Sequence, residues 1–299
     1  MDRGREFANK IGIKTSYGSY EELSKDTEVD IVYIATWHTS HVALSKMMLS
    51  AGKHVLCEKP MCLNVEQVKE VFQVARERKK FFMEGIWSRT FEIYQRIKDD
   101  IQSGVIGDVQ LVTASFCKLI EPNLRDNDRG DGMLLRAGLY TVQFANWIFN
   151  NEAPESVTAR GTVPEDGMDR DGCVILSYKN GAKASLSYSS KCIGKNSATI
   201  YGTKGCIQIP DSFWCPEEAT LPSGTITYPL NPDDPSLYVF KNSFGFRNEA
   251  KSVRQSLMEG KTECPVMSYE DSLALYRILD EIRRQIGLEY DPQKWTSHT

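Results

Sequence analysis

The strongest constraint in this chain is the stretch Val29-Asp30-Ile31-Val32-Tyr33-Ile34-Ala35-Thr36, a near-continuous apolar run of strand length. A strand that does not alternate polar with apolar residues belongs in a sheet covered on both faces. Such sheets are parallel ones, with crossover helices lying above and below. The neighbouring sequence agrees. A helical stretch from His41 to Ser50 follows, then a second buried strand from Lys53 to Cys57, an amphipathic helix from Asn64 to Lys79, and a third strand at Phe81-Phe82-Met83-Glu84. Upstream lie a short charged segment, Arg3 to Lys10, and a helix start at Ser19-Tyr20-Glu21-Glu22, where a serine precedes acidic residues suited to cap a first turn. The alternation of strand and helix predicts a doubly wound α/β sheet.

From about residue 105 the period changes. Segments 108–116, 173–178, 182–189 and 198–202 alternate polar with apolar residues, separated by turn signals such as Lys179-Asn180-Gly181. That is the pattern of half-buried antiparallel strands. Two helical stretches, Leu134 to Phe149 and Tyr269 to Ile286, carry apolar residues at three- and four-residue intervals. The expected organisation is an incomplete Rossmann-type parallel-sheet domain over 1–90 and an α+β domain over 91–299. The second has an open-faced, mainly antiparallel sheet whose free face takes helices, a cofactor or another subunit.

Composition narrows the partners. With 299 residues, 41% hydrophobic and 25% charged, the chain can bury one large or two ordinary cores. A net charge of -4 offers no basic stripe, so nucleic acid and an anionic membrane surface are discounted. There is no apolar stretch of about 18 residues or more, and the start MDRGREFANK is charged from its second residue. The expectation is a soluble, cytoplasmic protein without a signal or a membrane span. Eight cysteines stand without a CxxC pair, and His38, His41 and His54 lack metal-ligand spacing, so free thiols and no metal are expected.

The chemistry starts at Val55-Leu56-Cys57-Glu58-Lys59-Pro60-Met61. Pro60 cannot donate to a sheet ladder and keeps Lys59 out of helical geometry, so the strand ends there. Glu58 and Lys59 then face the opening beyond the strand ends, where ligands sit in open parallel sheets. Taken alone, the Glu58-Lys59-Pro60 step reads more simply as a solvated strand end.

It does not stand alone. YGSYEEL (17–23), AGKHVLCEKPM (51–61), FMEGIWSR (82–89), GLYTVQF (138–144), YGTKG (201–205), WCP (214–216) and EIRRQIG (281–287) run in order along nearly the whole chain. On these stretches the chain resembles the glucose-fructose oxidoreductase/inositol dehydrogenase-like family, most closely its dimeric dihydrodiol dehydrogenase branch. The resemblance implies a Rossmann domain followed by an open-faced sheet domain, and hydride transfer between a nicotinamide cofactor and a diol, polyol or sugar carbon. For the branch it implies NADP, trans-dihydrodiols of aromatic rings or D-xylose as substrate, and a homodimer.

Residue roles come with it. Lys59 is implied beside the nicotinamide and the reacting hydroxyl, where a positive charge stabilises an oxygen that loses its proton as hydride leaves. Glu58 orients it or touches the nicotinamide side. Tyr140 is implied on the substrate side as an acid/base, with a helix-packing aromatic as an equal alternative. The branch's aspartate falls at Arg136 here. Arginine is always a donor and inverts the local charge, so low or altered activity is expected. Thr36, Trp37, His38 and His41 are implied on the cofactor side, where backbone amides at a helix start meet the pyrophosphate and ribose. Trp37 stands where relatives carry proline, and His41 reads equally well as helix packing. Trp87 and Arg89 are implied near the cleft, against the alternative of a core tryptophan and a surface arginine.

The resemblance also implies a strand ending in GxGxxG and a second strand that selects NAD or NADP. Nothing in residues 1–30 supplies either. Roughly thirty residues of the dinucleotide fold are therefore expected to be missing, with weak NADP(H) binding as the consequence. A catalytically inactive family member acting as a binding or interaction protein is the alternative reading.

Overall fold

The computed structural model describes residues 2–120, 132–232 and 240–289. Helix α1 (Asp2–Ile11) and helix α2 (Tyr20–Lys25) come first, and the Ser19 hydroxyl caps α2 by accepting from Glu22 N at 3.1 Å. Then follow β1 (Ile31–Ile34), α3 (His38–Ser50), β2 (His54–Glu58), α4 (Val65–Arg78) and β3 (Phe82–Gly85). Asn64 caps α4 by accepting from Gln67 N at 2.9 Å, and Lys79 closes it in the left-handed region at φ 53°. The strands pair in parallel in the order β1-β2-β3, the start of a Rossmann-type sheet.

A 3-10 turn (Trp87–Thr90) leads into α5 (Glu92–Gln102) and β4 (Val109–Cys117). A π-helical turn (Leu134–Gly138) runs into α6 (Leu139–Ile148), so the continuous helix expected from Leu134 opens with one wider turn. Gly138 sits there because a Cβ would come within 2.8 Å of the Tyr188 ring. The chain continues through β5 (Ser156–Thr162), β6 (Asp171–Ser177), β7 (Lys183–Ser189), β8 (Ala198–Gly202), β9 (Gly205–Ile209), β10 (Glu218–Leu221) and β11 (Gly224–Thr227). It ends, among the described residues, with α7 (Phe246–Met258) and α8 (Tyr269–Ile286).

The larger sheet has the order β11-β10-β9-β8-β4-β7-β6-β5. Its pairs are antiparallel except at the centre, where β4 and β7 run parallel from Leu111 opposite Lys183 to Cys117 opposite Ser189. Alternation of residue types reports that a strand is half buried, not which way its neighbour runs, so this pair differs from the antiparallel expectation. The hairpin expected at Lys179-Asn180-Gly181 forms between β6 and β7, with Gly181 at φ 84° and Tyr178 N bonded to Ala182 O at 2.9 Å. Val112, Ala114, Val174, Leu176, Ala184 and Leu186 are buried on one face, which α6 and α8 help to cover. Ile175 and Tyr201 look out from the other face, 40% and 41% exposed.

One expectation fails at β1. Its apolar run predicts burial on both faces, yet Val32 and Ile34 are buried while Tyr33 is 50% exposed. β1 is the edge of the three-stranded sheet, with α3 packed against it and β2. Ile31, Tyr33 and Leu56 instead line an apolar groove whose other wall is α7.

Candidate active site

The carboxyl ends of β1 and β2 meet the larger sheet at a cleft of about 560 Å³. Tyr33, Ala35, Glu58 and Lys59 enter from the parallel sheet. Phe116, Lys118, Arg136, Tyr140 and Trp214 enter from the opposite side, and Trp87, Phe240 and Phe246 complete the wall. The brake at Pro60 thus does what the sequence requires: the strand stops and its last side chains reach the opening. The Lys59–Pro60 peptide is cis.

Lys59 is half buried. Its Nζ lies 4.7 Å above the centroid of the Tyr140 ring and donates to the Arg136 backbone oxygen at 3.0 Å, a cation over an aromatic face. Both carboxylate oxygens of Glu58 are engaged: one accepts from Lys59 N at 3.1 Å and the other from the Tyr33 hydroxyl. The Tyr140 hydroxyl accepts from Trp87 Nε1 at 2.9 Å. Burial pushes that phenol well above its ordinary range, so it keeps its proton at neutral pH. Trp87 in turn stacks on Phe246 at 4.5 Å, and Phe116 stacks on Trp214 at 3.7 Å.

Two buried residues hold the Lys59 loop in place. His41 has Nδ1 2.9 Å from Pro60 O and Nε2 3.0 Å from Thr36 O, tying the end of β2 to the end of β1. Burial lowers its pKa, against the pull of those two carbonyls. Glu84 of β3 accepts from Met61 N at 3.2 Å, Tyr276 Oη at 2.9 Å and Ser272 Oγ at 2.9 Å, linking the loop to α8. Burial raises the Glu84 carboxyl. Reading the sequence for function misses Glu84; its signal is a charge at the end of the fully apolar run Phe81-Phe82-Met83.

The remaining residues of the expected site separate. Thr36 pairs its hydroxyl with Ser40 Oγ at 2.8 Å, Trp37 precedes α3 with 52% exposure, and His38 is buried in the first turn. These three lie next along the chain from Ala35 but outside the cleft lining. Arg89 does not enter the cleft and is not a surface residue. It is buried, its Nη1 pairs with Asp271 Oδ1 at 2.7 Å, and its Nε donates to Gln143 Oε1 at 3.0 Å. It lines a separate polar pocket of about 320 Å³ with Lys98 and Asn150. Residues two apart on a 3-10 turn point to different sides, which divides Trp87 from Arg89.

Among the described residues no group of His, Cys, Asp and Glu side chains could hold a metal ion, and no helix is long and apolar enough to cross a membrane. The described cysteines are free thiols.

Lys59 and Tyr140 thus stand side by side in an aromatic cleft at the strand ends of a Rossmann-type sheet, the place where ligands sit in such folds. Residues 1–86 match the oxidoreductase family with an NAD-binding Rossmann fold, and residues 94–208 match the GFO/IDH/MocA C-terminal domain. The chain belongs to the GFO/IDH/MocA oxidoreductase family, the one its motifs resemble, and with that membership it is an oxidoreductase that binds a nicotinamide cofactor. It is 38% identical to trans-1,2-dihydrobenzene-1,2-diol dehydrogenase of Xenopus tropicalis, over 97% of this chain and 88% of that protein. The protein of the same name from Homo sapiens is also 38% identical, over 98% of this chain and 88% of its own length. Among solved structures, levoglucosan dehydrogenase in complex with NADH and levoglucosan matches with a TM-score of 0.82 at 19% identity, covering 96% of this chain and 85% of that one. KijD10, a 3-ketoreductase from Actinomadura kijaniata in complex with NADP and TDP-benzene, matches at 0.78 with 23% identity, covering 95% and 86%. These two likenesses speak to the fold.

Proposed function

We propose that this protein oxidises a hydroxyl carbon of a cyclic diol or aldose with NADP as electron acceptor, and that Lys59 and Tyr140 act at the reacting oxygen. The observation that carries this reading is Lys59 Nζ held 4.7 Å over the Tyr140 ring at the end of β2. A nicotinamide bound in the cleft would supply the acceptor for hydride from the carbinol carbon. The oxygen left behind gains negative charge as its proton departs, and the Lys59 ammonium stabilises it. Tyr140, kept protonated by burial, serves as a hydrogen-bond donor to that oxygen, whose own proton leaves to solvent.

Glu58, fixed by Tyr33 and by the Lys59 amide, aligns Lys59 and borders the nicotinamide side. The turn into α3, from Thr36 to His41, offers backbone amides toward the phosphates. NADP is the acceptor that the likeness to the dihydrodiol dehydrogenase branch implies, while the solved complexes carry NADP in KijD10 and NADH in levoglucosan dehydrogenase. A trans-dihydrodiol as substrate is favoured by the names of the curated relatives and by the aromatic wall, with D-xylose beside it. Arg136 in place of an acid makes turnover of neutral diols slow. The domain boundary falls near residue 90, the open sheet face makes a homodimer, and the protein works in the cytoplasm. The rival reading, an inactive binding protein, takes its support from Arg136 alone.

The test is formation of NADPH from benzene trans-dihydrodiol and D-xylose by wild type and Lys59→Met. Loss of one charged donor lowers kcat/KM about 100-fold or more if the assignment holds. Activity of the variant within a few-fold of wild type overturns it. Absence of turnover by wild type with both substrates favours the inactive reading.

A further inference from the structure

Lys59 reaches the cleft from a turn whose two sides are anchored differently. On the near side stands the end of β2: Glu58 pairs with Gly85 across the sheet, and the Lys59 amide donates to the Glu58 carboxylate at 3.1 Å. On the far side Pro60 has no amide hydrogen to give. The first backbone donors after Lys59 are therefore Met61 N and Cys62 N, and both end in one buried network. Met61 N donates to Glu84 Oε1 at 3.2 Å, Cys62 N donates to the Tyr276 hydroxyl at 3.2 Å, and that hydroxyl donates on to Glu84 Oε1 at 2.9 Å. Ser272 Oγ donates to the other oxygen of Glu84 at 2.9 Å. Met61, Cys62, Glu84, Ser272 and Tyr276 are each 1% exposed or less. A partner lost here is not replaced by bulk water.

The grip continues along α8. Asp280 Oδ2 accepts from Val65 N at 2.9 Å, one of the amides that the first turn of α4 leaves open, and Arg283 Nη1 donates to Leu63 O at 3.1 Å. Ser272, Tyr276, Asp280 and Arg283 follow one another at intervals of four, four and three, the spacing that puts side chains on one face of a helix. One face of α8 thus holds the connector from Met61 to Val65, although Tyr276 and Cys62 lie 214 positions apart in the chain. The two ends of the row differ in what they can set. Asp280 holds the head of α4, beyond the turn, whereas Tyr276 and Glu84 hold the two amides that come next after Lys59 and Pro60.

We propose that Tyr276 and Glu84 are positioning residues for Lys59, fixing the peptides after Pro60 so that the ammonium stands over the Tyr140 ring, where the reacting oxygen comes to lie. This rests on the reading of Lys59 as the group that stabilises that oxygen. Placement matters there, since a shift of about 1 Å in a catalytic group can cost ~100-fold in rate. Neither Tyr276 nor Glu84 lines the cleft. Each acts through the turn.

The experiment sets Tyr276→Phe, which keeps the buried ring and deletes only its hydroxyl, against Asp280→Ala at the other end of the row. In each variant it reads turnover of benzene trans-dihydrodiol and D-xylose, the thermal midpoint, and the NMR signal of Lys59 as isotope-labelled dimethyl-lysine, which the Tyr140 ring beneath Nζ moves upfield. Tyr276→Phe lowers kcat about tenfold or more and returns the Lys59 signal toward that of an exposed lysine. Asp280→Ala lowers the midpoint and moves neither. Glu84→Gln, which still offers Met61 N an oxygen, retains more of kcat than Glu84→Ala. In a Lys59→Met background Tyr276→Phe costs kcat nothing further, because the residue it places is gone. A Lys59 signal unmoved in Tyr276→Phe overturns the proposal, whether or not the protein turns over, and so does an equal loss of kcat with and without Lys59. Lys59→Met within a few-fold of wild type sinks the catalytic role of Lys59 instead, and the NMR signal still decides whether Tyr276 places it.

Discussion

At the scale of single residues, the site divides by how locally each side chain is determined. Lys59 is legible because Pro60 is its neighbour: one residue ends a strand and so exposes the one before it. Arg89 is not legible, because its partner Asp271 lies 182 positions away and nothing near residue 89 announces it. Glu84 hides for the same reason, its hydroxyl partners lying on α8. Tyr140 offers a sharp test, since Tyr140→Phe removes a hydroxyl and keeps the ring on which Lys59 rests. Lys59 stays in place, Trp87 Nε1 loses its acceptor, and kcat falls about 100- to 1000-fold while KM changes little, as for loss of a donor used in the transition state. Steady-state kinetics decides it. An equal rise in KM with kcat intact would make Tyr140 a packing residue.

At the scale of elements, period reports burial well and geometry poorly. The helices α4 and α8 follow the apolar spacing of their sequences closely, and the caps at Asn64 and Ser268 are the residue types that accept from a first turn. The parallel β4–β7 pair and the π-helical turn leave no such trace, since both depend on what the neighbouring element does. That turn is anchored by Asp169, whose Oδ2 accepts from Leu134 N at 2.7 Å and whose Oδ1 finds no hydrogen-bond partner among the described residues. Burial pushes the Asp169 carboxyl from 3.8 up to about 7. Its folded value lies above its unfolded one, so the folded state holds a proton that the unfolded state has already lost. Stability from this group is therefore full below about 3.8 and declines as pH rises to about 7. Asp169→Asn keeps the acceptor for Leu134 and removes the titration. Thermal midpoints at pH 5 and pH 8 should differ less in the variant than in wild type, and an unchanged difference would rule Asp169 out as the source.

At the scale of the molecule, the sequence motifs carry the family and the two kinds of sheet, but not the contacts that join them. The exposed face with Ile175 and Tyr201 predicts self-association: sedimentation at micromolar concentration should show a dimer, and a charged residue at Tyr201 should shift it toward monomer. The joint between the sheets is α8, which packs on α4, α6 and β5. Its first turn receives Arg89 from the end of the parallel-sheet unit. Although burial pushes the Asp271 carboxyl up, the Arg89 guanidinium and Ser268 bring it below its ordinary value, so it is charged and paired at neutral pH. Asp271 also accepts from Asn151, and Gln143 accepts from Arg89 Nε. Arg89→Ala takes the counter-charge away and leaves Asp271 and Gln143 buried without it, a change that costs about 3–5 kcal/mol. Because the pair spans the joint, the loss should lower the urea midpoint of both units together, followed by Trp87 and Trp147 fluorescence. Replacing both partners, as Arg89→Met with Asp271→Leu, removes the stranded charge along with the bond and should recover much of that loss. A double variant as unstable as Arg89→Ala would mean that the pair matters through its geometry at the head of α8 and not through its charge.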